Sequence, residues 1–382
     1  MILSLVSIAN ILDKITLFGG FFQVICIFLE KKLYFCNHRR GFSLKVYMNK
    51  ATKFDEISVM RVMAMTMIIA FHSLCFYNGR WSKVNAIDIP IWHKTSCFLD
   101  VIDLNMFVFI SGYLYGYLYI YKNKYRHPSE VIRIKAVRLL IPYLFWGIPM
   151  AIVWPWNTWL KLFYGIGHLW FLLMLFGVFT ITVILQLLNA QRVKFTSKVG
   201  ISLIVTGYIL GVVFSKYVYT GDFLCINKTL YYFPAFMIGY LCAKLRVAWM
   251  LPNWAFIVLP LATIGLFVFV WYPIPLSNTL TIFVRTVLAY VICVDLLIIL
   301  SKGTMPDRVR KVVQELERLS MGLYIFNQIV MDTVFTMPVL HRWFEVHWMI
   351  GPFVLFPIGF FLPLMLSYIF NNHKMLKWTI GG

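Results

Sequence analysis

The stretch ISVMRVMAMTMIIAFHSLCFY (57–77) decides the fold class. It matches the roughly 20 mainly apolar residues that an α-helix needs to cross the hydrocarbon core of a bilayer. Nine further windows of this kind follow, at 96–120, 136–156, 168–188, 199–219, 229–245, 253–272, 277–300, 319–340 and 349–370. Together they take over half of the 382 residues. Residues of the AVILMFWYC set make up 61% of the chain and charged residues 13%, about half the charged share of a soluble domain. A soluble globular enzyme, a coiled coil and a disordered chain are thereby excluded. The expected fold is an all-α, polytopic membrane helical bundle of about ten transmembrane helices. The polar gaps are short, so no connection can hold a folded catalytic domain, and any chemistry belongs within the bundle or at its edge.

A net charge of +20 would suggest nucleic acid in a soluble protein. In a membrane protein, basic residues first mark the cytoplasmic side. With residue 57 placed at the cytoplasmic end, alternate connections carry 25 Lys and Arg on the inside and 7 on the outside. That asymmetry places both flanks of the ten-helix core in the cytoplasm, and no nucleic-acid partner is expected. Seven Cys without a CxxC pair or a Cys/His cluster argue for neither a disulfide framework nor a metal site.

The first 47 residues stand apart. The apolar run at 15–29 is short for a span, and Lys14 with no small-residue cleavage site does not make a secretory signal. Residues 1–47 are either an extension with an extra helix or upstream of a true start at Met48. Residues 48–382 form the main domain.

Ionisable residues at bilayer depth are functional candidates because their burial costs a few kcal/mol. Arg61 and His72 are eleven residues apart, which brings them within about 20° of one helix face and about 16 Å apart along it. An imidazole titrates near neutral pH and suits proton abstraction from a hydroxyl. The structural alternative is an Arg at the interface and an unrelated, hydrogen-bonded His. Arg133 and Arg138, in RIKAVRLLIPY (133–143), would suit either topology anchoring or a phosphate-bearing ligand. His168 and Trp170 open the fourth span in GHLWFL (167–172), as an interfacial belt or as a cavity lining. Arg285 and Asp295 lie about 80° apart on their helix, so each needs another partner. The ninth span adds Asn327, Gln328 and Asp332. The Ser-Gly pair in NMFVFISGYLYG (105–116) reads first as a close-packing site.

These motifs, in this order, resemble the membrane acyltransferases of acyltransferase family 3 over roughly residues 55–370. The family's Arg, ten intervening residues and His read RVMAMTMIIAFH (61–72). Its phenylalanine-rich span ending in Ser-Gly reads FVFISGYLYG, its basic pair before a proline RIKAVRLLIPY, and its His-Leu-Trp-Phe-Leu motif HLWFL. YYFPAFMIGYLCAKL (231–245) looks like the family's sixth span. A Tyr-Leu-x-His motif near the end of many members is YIFNQ here, with Asn327 in the place of histidine.

The resemblance implies a stand-alone membrane O-acyltransferase. It would carry an acyl group, acetyl first of all, from cytoplasmic acyl-CoA to a hydroxyl of a cell-envelope carbohydrate or glycolipid. No permanently bound cofactor is expected, and the surrounding partners are membrane lipids of a bacterial inner membrane. His72 would be general base or transient acyl carrier, with Arg61 orienting the CoA portion. Arg133 and Arg138 would meet its phosphates. His168, Trp170, Arg285 and Asn327 are the candidates for acceptor binding. A transporter or flippase for a lipid-linked glycan or small solute is the alternative, although no inverted repeat is visible. A structural partner that has lost catalysis is less consistent with the intact Arg61–His72 spacing.

Overall fold

The computed structural model describes residues 55–192, 222–247 and 254–382, apart from 82, 83, 86, 123, 126 and 154–158, together with positions 202 and 206. The window at 199–219 and the 1–47 extension lie outside the described residues.

Helices fill the expected windows. They are α1 (Asp55–Cys75), α2 (Pro90–Tyr121), α3 (Pro128–Lys135), α4 (Ile141–Val153), α5 (Lys161–Tyr164), α6 (Trp170–Arg192), α7 (Ile226–Lys244), α8 (Ala255–Trp271), α9 (Asn278–Lys302), α10 (Asp307–Thr336), α11 (Pro338–Val346) and α12 (Gly351–Asn372). A π-helical turn at Ala136–Leu140 joins α3 to α4. Proline opens α2, α3, α11 and α12 in the first turn, where its missing N–H costs nothing. Among the described residues there are no strands.

Among the described residues, six helical stretches are long and apolar enough to span a membrane, and a seventh is added if α10 and α11 count as one broken span. On this measure the described residues carry six or seven of the expected ten. α8 is helical but only 17 residues long. α7 carries Asn227 and Lys228 in its first turn and Tyr231, Tyr232 and Tyr240 beyond it, which lower its apolarity. The largest departure is α10. Its helix begins within the stretch read as a polar connection, because nothing between Pro306 and Pro338 breaks it, and it then meets α11 at 90°. Outward-facing side chains such as Ile257, Leu261 and Ile264 of α8 and Phe361 and Met365 of α12 are large, apolar and exposed. Such a surface needs lipid to cover it.

α1 sits at the centre, packed against α2, α9, α10 and α12. Its contacts with α10 are Asp55 with Arg310, Arg61 with Glu317, and His72 with Asn327. The partner number rises with the residue number, so the two helices run in the same direction side by side. α2 and α7 cross where Gly112 meets the Phe236 backbone and Gly239 meets the Phe109 backbone. α10 and α12 are antiparallel, Gly322 lying at Ser367 and Met331 at Gly359.

Candidate functional site

The parallel pairing of α1 with α10 creates two polar centres, one at each end of the Arg61–His72 stripe. At the lower centre, Arg61 Nη1 meets Glu317 Oε1 at 2.5 Å, and Ser58 Oγ donates to Glu317 Oε2 at 2.5 Å. Arg310 Nε to Asp55 Oδ2, at 2.6 Å, closes the same seam. Arg138 and Lys135 lie within electrostatic range of Arg61. The Lys135 ammonium also sits 4.1 Å from the Phe179 ring centroid and 5.6 Å from that of Tyr125. Arg133 and Arg138 are exposed. The structure therefore brings Arg138 to Arg61, while Arg133 belongs to the preceding helix α3.

At the upper centre His72 is buried, at 7% exposure. Its Nδ1 meets Asn327 Oδ1 at 2.5 Å. The Asn327 amide donates to the carbonyls of Leu323 (3.0 Å) and Tyr324 (2.5 Å), which fixes which of its atoms is oxygen. That oxygen can only accept, so the proton of neutral His72 must be on Nδ1. Nε2 then carries a lone pair and makes no hydrogen bond to any described residue. The ring is enclosed by Phe71 and Trp81, each with its centroid 5.5 Å away, and by His168 at 5.8 Å.

His168 reaches this centre because the chain enters α6 through a single 3₁₀ turn, Gly167–Leu169. α10 holds it from three sides. Gln328 Oε1 accepts from its backbone N–H at 3.0 Å, the Tyr324 hydroxyl donates to its carbonyl, and its Nε2 donates to the Ile325 carbonyl at 3.0 Å. Gln328 also reaches Asp332 Oδ2 at 3.4 Å.

Trp81 arrives by folding of the segment that follows α1. The Asn78 amide donates to Ser96 Oγ (2.7 Å), the Asn85 amide donates to the Phe76 carbonyl (2.8 Å), and Arg80 pairs with Asp100 (2.8 Å). These bonds draw Asn78 and Arg80 back against α2, and Trp81 with them.

Of the sequence candidates, Arg61, His72, His168, Asn327 and Arg138 thus fall along one axis. Trp170 lies against Tyr232 and the Lys228 ammonium. Arg285 donates from Nε to the Phe269 carbonyl at 2.9 Å, closing the last turn of α8. Its partner is a backbone group on its neighbour, as the 80° offset from Asp295 required. Glu317 and Trp81 were not foreseen. Glu317 sits among the charges of a presumed connection, and Trp81 in a presumed loop, so neither carried a periodic signal.

A family model described as an acyltransferase domain matches residues 54–372. Comparison with curated proteins gives no match, and neither does comparison with solved structures. The matched region runs from the residue before α1 to the end of α12 and includes both polar centres; the chain belongs to acyltransferase family 3.

Proposed function

We propose that the protein transfers an acyl group, acetyl first of all, from cytoplasmic acyl-CoA to a hydroxyl of a cell-envelope or exported carbohydrate. The single observation that carries this reading is the free Nε2 of His72, oriented by Asn327 and in line with a cationic cluster about 16 Å below. The donor's phosphates would meet Arg138, Lys135 and Arg61, and its pantetheine arm would run up the α1–α10 seam. As the acceptor oxygen attacks the thioester carbonyl, its proton moves to His72 Nε2. A C–O bond forms, the C–S bond breaks, and the proton passes on to the departing thiolate. Ester and free CoA thiol leave. The bilayer in this reading is a bacterial inner membrane, with the Arg61 end toward the cytoplasm.

The test is thiol release from acetyl-CoA by the purified protein. General acid–base catalysis contributes about 10²–10⁴-fold, so His72→Ala should lose activity on that order. Its melting temperature and acyl-CoA binding should stay close to wild type. An Ala variant as active as wild type would remove His72 from the chemistry.

A further inference from the structure

The upper centre holds two hydrogen-bond acceptors, each on an imidazole whose other nitrogen is already engaged. His72 presents its Nε2 lone pair because Asn327 takes the Nδ1 proton. His168 presents its Nδ1 lone pair because the Ile325 carbonyl takes the Nε2 proton. His168 Nδ1 is shielded from solvent and has no hydrogen-bond partner among the described residues. Turning the ring would forfeit its hydrogen bond from Nε2 to the Ile325 carbonyl. Tyr324, with its ring centroid 5.2 Å away, packs against it. A buried acceptor left unmatched is costly, so a built site of this kind calls for a donor from outside.

One hydroxyl has one proton and can serve only one of the two nitrogens. The imidazole centroids are 5.8 Å apart. Two hydroxyls on adjacent carbons, each about 2.8 Å from its nitrogen, suit two acceptors on rings this close together. We propose that the acceptor is a vicinal diol on a saturated ring, an inference that rests on the acyl-transfer reading and narrows its substrate class. The hydroxyl at His72 Nε2 is the one acylated. Its neighbour donates to His168 Nδ1 and is left free. Trp81, half-buried beside His72, offers an aromatic face to the C–H side of the ring.

The experiment supplies the purified full-length protein with acetyl-CoA and three probe alcohols: trans-cyclohexane-1,2-diol, its monomethyl ether and cyclohexanol. Ester is measured by mass spectrometry as kcat/KM. The diol should exceed both of the others by about tenfold or more, the effect of leaving one buried acceptor unpaired. His168→Phe keeps a ring of similar bulk but offers no acceptor, and it should bring the diol-to-cyclohexanol ratio to about one. Equal rates for the three probes with wild type would overturn the inference, a bound water then satisfying His168. A ratio that survives in His168→Phe would overturn it too. In both cases ester that disappears in His72→Ala would leave the acyl-transfer reading standing. No ester from any probe would overturn both. The wild-type series does not depend on any variant folding.

Discussion

Which ring nitrogen of His72 carries the proton determines whether this residue can act as a base. Asn327 makes the choice, because its amide is spent on the carbonyls of its own helix and only its oxygen faces the ring. Replacing Asn327 by Leu should release the imidazole to rotate and to exchange tautomers. Loss of such an orienting partner costs about 10–100-fold in related settings. The expected result is a fall of that order in kcat with KM for acetyl-CoA nearly unchanged. Asp at 327 can still accept from Nδ1 and should restore much of the rate, whereas a purely structural role would leave the Asp variant no better than Leu. The Arg61–His72 stripe was legible in the sequence because helical period alone puts eleven-residue neighbours on one face. The Asn327 contact was not. It joins residues 255 positions apart, and no local pattern reports which side chain of a distant helix will meet a given imidazole. Asn327 stood out as a polar residue of the ninth span, a departure from a motif and a candidate for acceptor binding, not as the partner of His72.

Between elements, two kinds of contact hold the site in shape. The Arg61–Glu317 pair ties α1 to α10, with side chains 24% and 25% exposed. That is buried enough for a lone survivor to be costly, but too exposed for the full penalty of a dry interior. Arg61→Ala should therefore lower thermal stability as well as acyl-CoA affinity. Adding Glu317→Ala should recover stability by removing the orphaned carboxylate, while acyl-CoA affinity stays low if Arg61 contacts the donor. Calorimetric titration and thermal unfolding of both variants separate these effects, and recovery of affinity in the double variant would assign Arg61 a structural role alone.

The second contact is steric. A Cβ on Gly239 would lie 2.0 Å from the Phe109 carbonyl oxygen, and one on Gly112 would lie 1.9 Å from that of Phe236. Backbone cannot yield at that distance. Gly239→Ala should thus separate α2 from α7 and reduce the yield of monodisperse protein in size-exclusion chromatography. Gly265→Ala, whose nearest neighbour would be Leu288 Cδ1 at 3.6 Å, should behave as wild type. The Ser-Gly pair at 111–112 had signalled such an approach, but its partner Gly239 lay unmarked within an ordinary apolar run. The extent of α10 was likewise hidden, because charges between 307 and 318 look the same on a solvated helical face as in a loop.

Across the whole molecule, direction is the property that links fold to chemistry. α1 and α10 run the same way, and an odd number of crossings must separate helices that do so. The sequence alternation sorts 25 basic residues to one side and 7 to the other. The Arg61 end gathers Lys135, Arg138 and Arg310, so the charge rule would turn that end to the cytoplasm, where acyl-CoA is found. Single cysteines at Lys124 and Lys374, and at Asp88 on the opposite end, test this on a background lacking the native cysteines. A membrane-impermeant maleimide applied to intact cells should label the cysteine at 88 alone, and those at 124 and 374 only after permeabilisation. The reverse pattern would put His72 on the donor's side and Arg61 on the acceptor's, and the proposed direction of transfer would fail with it.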